Sequence, residues 1–284
     1  MTLHARGGRV GARRSIGSLT ARGMIVMGVK ENLGRSPPIL ADGPARRNGE
    51  GDDRMDVWAI SDLHLSHARP EGRERFAGRW CEHVDRIERQ WRAAVGPGDV
   101  VLLPGDISMA RNHRDLQADL AWLDRLPGTK VLSPGNHDHW WNGVDRIRPM
   151  LRRSQAAVGG DAIATRGLVV CGARGVPADD PDPAAALAEL DRALAHARSL
   201  RDAGQPLYLL WHFPPFDAHG RPGPCVERFE AAGVSACVYG HLHSIGQWSM
   251  AVQGAVHGVR YHLVAADAIG FRPLRIATIT GQDR

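Results

Sequence analysis

The chain has 284 residues, 43% of them hydrophobic and 24% charged, enough to bury a sizeable core in one large domain. No apolar stretch approaches the roughly 18 to 20 residues that a helical bilayer span needs, so a membrane-embedded protein is excluded as the expectation. The formal charge of +5 would suit an anionic partner, but residues 1–54 hold ten of the 36 Lys and Arg and five of the 31 Asp and Glu, leaving 26 of each sign in the other 230 residues.

The first 54 residues scatter Arg, Gly, Ser and Pro with no helical or strand period, and are expected to be a disordered or non-native extension that does not pack. Arg13-Arg14 before the apolar patch Met24–Val29 hints at an export signal, and the Arg-rich, acid-poor start at a transit peptide. Arg22 interrupts the patch, however, and an overlong reading frame with the true start at Met55 is the simpler account. Residues 55–284 are read as the functional domain. Its cysteines, Cys81, Cys171, Cys225 and Cys237, form no C-x-x-C pair, which predicts reduced thiols and a cytoplasmic protein.

From residue 55 short apolar runs alternate with helical stretches, the rhythm of layered α/β structure. Strand patterns fall at 56–61, 100–104, 129–133, 168–172, 206–211, 236–239, 260–266 and 274–280. The spacing predicts a helix over Gly72–Val95, with Phe76, Trp80, Ile87 and Trp91 on one side and Gly96-Pro97-Gly98 as its stop. Further helices are expected over Asp115–Leu126, Val144–Arg152 and Pro183–Arg201, the last with proline in its first turn, where a missing N–H costs nothing. After the strand ending at Trp211 comes a Pro-rich loop to Pro224, then a helix to Ala232.

Five strand patterns end in polar residues. W-A-I-S runs into Asp62-Leu63-His64, V-L-L-P into Gly105-Asp106, and K-V-L-S-P into Gly135-Asn136-His137-Asp138. L-Y-L-L-W runs into His212, and C-V-Y into Gly240-His241-Leu242-His243. The crevice beyond the carboxyl ends of strands is where open α/β sheets bind ligands, because loops there vary while the sheet fixes their origins. Taken singly, each piece has an ordinary explanation. Asp62 and His64 could simply meet solvent, Asp106 could cap the next segment, and His212 could be a hydrogen-bonded core histidine. Three polar groups after Gly135 exceed what one turn needs, and His241 and His243, two apart in an extended segment, point to one side. Four imidazoles, two carboxylates and an amide oxygen are too many for one tetrahedral ion. They suit two ions of coordination five or six, an arrangement known for phosphoester cleavage.

These blocks, D-L-H, G-D, G-N-H-D, a lone His and G-H-L-H, resemble in identity and order the pattern of the calcineurin-like metallophosphoesterases. W-A-I-S-D-L-H-L-S and G-N-H-D-H-W-W are similar to a branch of uncharacterised bacterial phosphohydrolases. The resemblance implies a four-layer α/β/β/α sandwich of two mixed sheets. It implies two divalent or trivalent metal ions, of Mn, Fe, Zn or Ni: one on Asp62, His64 and His243, the other on Asn136, His212 and His241, with Asp106 bridging. It places His137 against the substrate and has Asp138 orient His137 or a ligand from behind. The implied reaction is attack of a metal-bridging hydroxide on a small-molecule phosphomonoester or phosphodiester. One departure narrows this: the serine/threonine protein phosphatases carry G-D-x-x-D-R-G, where this chain has G-D-I-S-M-A-R. Met109 and Ala110 replace the Asp-Arg pair, which disfavours a phosphoprotein substrate; Arg111 or Arg174 could supply another donor.

Two rivals stand beside this reading. A nuclease would need cationic surface, which the formally neutral residues 55–284 do not advertise, and a non-catalytic interaction module would be expected to have lost ligands. His139, His219, His257 and His262 are expected in packing or solvent roles. Trp140 and Trp141 are expected to cover the sheet edge rather than wall a pocket.

Overall fold

A computed structural model describes residues 54–69 and 78–280 of the chain. The extension expected over residues 1–54 therefore falls, but for Arg54, outside the described residues, as do residues 72–77 of the helix expected from Gly72.

Two mixed sheets carry the fold. The first holds β1 (Met55–Ala59), β2 (Val100–Pro104), β3 (Thr129–Ser133), β4 (Gln155–Ala157) and, antiparallel to β1 at its edge, β11 (Leu274–Ile279), in the order β11-β1-β2-β3-β4. The second holds β5 (Asp161–Thr165), β6 (Leu168–Ala173), β7 (Leu207–Trp211), β8 (Ala236–Tyr239), β9 (Gly254–Val256) and β10 (Val259–Leu263), in the order β5-β6-β7-β8-β10-β9. The central strands are parallel, while β5 and β9 pair antiparallel with their neighbours.

Strand alternation explains the layering. In β2 Val100 and Leu102 face the second sheet, packing in a cluster with Val57, Ala59, Val131, Val170, Leu210 and Val238. Val101 and Leu103 point the other way, into a cluster with Ile87 and Trp91 of α1 (His83–Ala94) and Leu116, Leu120 and Leu123 of α2 (His113–Asp124). On the far side Val169, Cys171, Leu209 and Trp211 meet Leu190, Ala193, Leu194 and Ala197 of α4 (Ala184–Leu200) and Phe229 of α5 (Val226–Ala231). The result is an α/β/β/α sandwich, as expected. Because both faces of these strands are covered, they read as unbroken apolar runs, and each fully buried Leu or Val contributes about 1.5–3 kcal/mol.

Several local details differ from the sequence reading. Trp80 lies in a 3₁₀ turn (Gly78–Trp80), and α1 starts only at His83, after Glu82 in the left-handed region (φ 52°). The helix expected over Val144–Arg152 is a single turn, α3 (Val144–Ile147), followed by a 3₁₀ turn (Arg148–Met150). Pro149, with no N–H to donate and a ring that crowds the preceding turn, prevents its continuation. The strands β4, β5 and β9 and the helix α6 (Ile245–Met250) were not expected. The three residues of β4 and of β9 are too few positions for a period of two to be read. Among the described residues no helix is long and apolar enough to cross a membrane.

The two sheets are joined where the site lies. Ser61, just past β1, bridges to Ala265, just past β10: Ser61 N donates to the Val264 carbonyl (2.8 Å) and Ala266 N to the Ser61 carbonyl (3.0 Å). The carboxyl ends of β1, β2 and β3 are thereby held next to those of β7, β8 and β10.

Candidate metal centre

The loops leaving the strands are tied to one another through their backbones. Asp62 N donates to the Gly105 carbonyl (3.0 Å), and His64 N to the Asp106 carbonyl (3.0 Å). His137 N donates to Asp106 Oδ1 (2.8 Å), and His241 N lies 3.2 Å from Asp62 Oδ2. This folding is not relaxed. Asp62, His64, Asp106 and His241 all sit at positive φ (56°, 43°, 53° and 71°), half of the eight non-glycine residues that do so among the described residues. Strained backbone concentrated in one cluster, held by the surrounding sheet, is typical of a functional site.

Glycine precedes the ligand-type residues for a steric reason. A Cβ on Gly240 would run into Asp62 Oδ2 and Ser61 Oγ, and one on Gly135 into the backbone nitrogen and Oδ1 of Asp106. Only residues without a Cβ let these turns close over the carboxylates.

All seven residues predicted as metal ligands converge. Asp62, His64 and His243 present donor atoms within 4.8 Å of one another, and so do Asp62, Asp106 and His212. Asp106 Oδ2 lies 3.5 Å from His212 Nε2 and 3.9 Å from His64 Nε2, so it faces both groups, and Asp62 is shared by them. Asn136 Oδ1 completes the second half, 2.8 Å from His212 Nε2 and 3.0 Å from His241 Nδ1.

The donor chemistry fits cations. His212 Nδ1 is 3.0 Å from the Pro104 carbonyl and must carry its proton there, which turns the Nε2 lone pair toward Asn136 Oδ1 and Asp106 Oδ2. Asp106 Oδ2 is buried and has no hydrogen-bond partner among the described residues, a costly state that a bound cation would relieve. Burial, and then the adjacent charge of Asp62, raise the Asp106 carboxyl to about 7. Burial also opposes charge on Asp62, but the hydrogen bond from His243 and the nearby imidazoles outweigh it and hold this carboxyl well below the usual range. Two adjacent buried carboxylates share negative charge badly unless a positive charge lies between them. Burial lowers His64 to about 3 and His241 to about 4, keeping both imidazoles neutral, the form that ligates metal.

His137 is exposed at the rim, its ring 5.5 Å from that of His64, and burial of part of the ring, then the neighbouring His139, lower its pKa. Of the two roles expected for Asp138, contact with the His137 imidazole is not formed. The carboxylate is buried, and its four partners are Ile107 N (2.9 Å), Ser108 N (3.0 Å), Gly135 N (2.8 Å) and the Trp140 indole N–H (3.1 Å). Asp138 therefore ties the turn carrying Asn136 and His137 to the turn carrying Asp106. Burial and the Asp106 charge raise its carboxyl to about 7 against the pull of those bonds.

Other side chains fall outside the cluster. His139, His219 and His257 are exposed, His257 pairing with Glu230 at 3.0 Å, and His262 sits on β10 with burial lowering it to about 4. Trp140 is buried, as a packing role requires, while Trp141 is half-buried beside Gly159. Arg111 and Arg174 are exposed, and it is the backbone carbonyl of Arg174 that meets His212 N, at 3.1 Å. Sequence reasoning missed three contributors. Ser61 Oγ donates to Asp62 Oδ2 (2.5 Å), and Trp80 sets its ring edge-on to His64 (5.7 Å) and His243 (5.6 Å). Asp267 Oδ1 accepts from His243 Nδ1 at 3.0 Å; its position directly after the late strand pattern is the signal that could have found it.

An α/β sandwich that gathers carboxylates, imidazoles and an amide at the shared carboxyl edge of two sheets is a setting for metal-dependent phosphoester chemistry. The model of the calcineurin-like phosphoesterase family matches residues 55–244, and the chain belongs to that family. Among curated relatives, the Gene 66 protein of Mycobacterium phage D29 is 41% identical over 96 residues, covering 34% of this chain and 43% of the phage protein. The Gene 66 protein of Mycobacterium phage L5 is 37% identical over 82 residues, 29% of this chain and 39% of that protein. The chain thus spans about two fifths of the length of the curated relatives it matches. Among solved structures, a protein of unknown function from Aquifex aeolicus aligns with a TM-score of 0.41 and 15% identity, over 78% of this chain and 95% of that one. GAP50, the anchor in the inner membrane complex of Plasmodium, aligns at 0.40 and 10%, over 76% and 73%.

Proposed function

We propose that the protein is a dinuclear metal-dependent hydrolase of small-molecule phosphomonoesters or phosphodiesters. The observation that carries the reading is the pair of buried carboxylates, Asp62 and Asp106, set among four imidazoles and Asn136, with Asp106 Oδ2 unpartnered. Asp62, His64 and His243 would hold one ion and Asn136, His212 and His241 the other, with Asp106 facing both; Mn, Fe, Zn or Ni suits such a mixed N/O set. Bound there, the ions would lower the pKa of water by several units and offset the charge of a phosphoryl group.

The chain's own residues supply the rest. His137, exposed and next to His64, can donate an N–H to a phosphoryl oxygen or to the departing oxygen. Asp138 fixes the turn that carries it. The positive-φ backbone at Asp62, His64, Asp106 and His241 pre-aims the donors, so little reorganisation is required when substrate binds.

The test is turnover of a panel of aryl phosphomonoesters and phosphodiesters by the full chain, loaded separately with Mn²⁺, Ni²⁺, Zn²⁺ or Fe²⁺, alongside elemental analysis. Metal-dependent turnover with two ions per chain is expected. Two bound ions without turnover would refute the hydrolase reading in favour of a binding module. Nucleic-acid cleavage with a steep loss of binding on added salt would shift the substrate class to DNA or RNA.

A further inference from the structure

We infer that Asp267 is a positioning residue of the metal centre: through the Asp267–His243 contact it holds the His243 imidazole with Nδ1 toward Asp267 and Nε2 toward Asp62, so that Nε2, which donates to Asp62 here, is the nitrogen that would ligate a cation in its place. The inference rests on the metal-binding reading above and extends the site beyond residues 55–244, the span matched by the family.

Three observations carry it. First, the geometry is directional: His243 Nδ1 is 3.0 Å from Asp267 Oδ1, and the opposite ring nitrogen, Nε2, is 3.2 Å from Asp62 Oδ1. An imidazole with a carboxylate at each nitrogen could place its proton on either. A cation beside Asp62 and His64 needs the lone pair at Nε2, so the Asp267 carboxylate, a strong acceptor at Nδ1, selects the competent tautomer. Second, Asp267 does little else. Its side chain is fully buried, and Oδ2 has no hydrogen-bond partner among the described residues. Asp138 differs sharply, with four donors from two loops that give it a plain structural role. A buried carboxylate that makes a single side-chain contact is expensive to keep unless that contact is useful. Third, the ring is restrained from its side as well, by Trp80 at 5.6 Å, so that rotation about χ2 is opposed while Asp267 sets which nitrogen faces inward. The placement follows from topology: Asp267 is carried by the segment past β10 that the Ser61–Ala265 bridge joins to the end of β1, where Asp62 lies.

The experiment titrates metal-free full-length protein with Mn²⁺ and with Zn²⁺ by calorimetry, for the wild type and for Asp267→Ala, Asp267→Asn and Asp267→Glu. The Tm of each metal-free protein and the histidine ¹⁵N NMR spectrum are recorded in parallel. In the wild type two binding events are expected, with His243 in the Nδ1–H form once Zn²⁺ is bound. Asp267→Ala should weaken one event by about 10–100-fold and leave the other within about threefold. Asp267→Asn, which keeps an acceptor but not the charge, should fall between, and Asp267→Glu should recover part of the loss. Unchanged titrations in all three variants, or equal weakening of both events with a lowered metal-free Tm, would overturn the inference, the latter marking a merely structural role. Absence of metal binding by the wild type would instead bring down the proposed function.

Discussion

Removing the Asp138 carboxylate tests whether this residue works as a structural tie or as a partner of His137. Asp138→Ala leaves four buried or half-buried donors without their acceptor: Ile107 N, Ser108 N and Gly135 N, at 2.8–3.0 Å, and Trp140 Nε1, which keeps its 3.1 Å contact to the Ser108 carbonyl. Each orphaned donor costs about 1–3 kcal/mol, but the three backbone donors left unpaired lie in one small region that can relax together. A net loss of about 3–5 kcal/mol is therefore expected, the lower part of the roughly 3–9 kcal/mol to which three orphaned donors would sum. In a domain of this size that corresponds to a fall in Tm of about 6–20 °C. Asp138→Asn keeps Oδ1 for three of the donors but turns an amide N–H toward Gly135 N, and should lose about 1–3 kcal/mol. The assay is urea unfolding of the metal-free protein, followed by circular dichroism and tryptophan fluorescence. A loss below about 1 kcal/mol for Asp138→Ala, with turnover nonetheless abolished, would refute the tie and return Asp138 to a role on His137.

Three further outcomes are expected. Gly240→Ala, whose Cβ meets Asp62 Oδ2 and Ser61 Oγ, should leave the far-UV spectrum unchanged yet displace Asp62. A displacement of about 1 Å lowers turnover by about 100-fold, and the lost metal should be measurable by elemental analysis. His137→Ala should retain two ions while turnover falls by about 100- to 10,000-fold, whereas Asp106→Asn should lose metal and activity together; equal metal loss in both would contradict these roles. Lys130 is buried in β3, its Nζ donating to the carbonyls of Leu126 (2.7 Å) and Gly128 (2.9 Å), and burial lowers its pKa from 10.5 to about 8. The folded protein then releases this proton before the unfolded chain does. The stability of the wild type relative to Lys130→Met should be lowest below pH 8 and rise between pH 8 and 10.5, as measured by denaturation at each pH.

Much of the site was legible because the ligand-type residues follow apolar runs that can only be covered strands. The period of the chain and the rule that parallel strands bind at their carboxyl ends were enough to put Asp62, Asp106, Asn136, His212 and His241 on one edge of the fold. The alternation of strands and helices also follows from local pattern, whereas the two sheets and the order of the layers came from the resemblance of these blocks to the metallophosphoesterases, because an apolar run does not say which sheet it joins. What the pattern could not convey was pairing across distance. The three-residue strands β4 and β9 exist through their neighbours' hydrogen bonds rather than their own periodicity, and Pro149 cut short a helix that composition alone favoured.

The same division runs through the chemistry. Which atoms can bind a cation is a property of residue type and was settled by the amino-acid order itself. Tertiary structure alone decided which nitrogen of His212 faces Asp106 and which of His243 faces Asp62, because the Pro104 carbonyl and Asp267 lie 108 and 24 residues away. It also turned Asp138 from a neighbour of His137 into the anchor of two turns. A side chain's identity is local, but its protonation, orientation and cost of burial depend on groups that only folding brings to it.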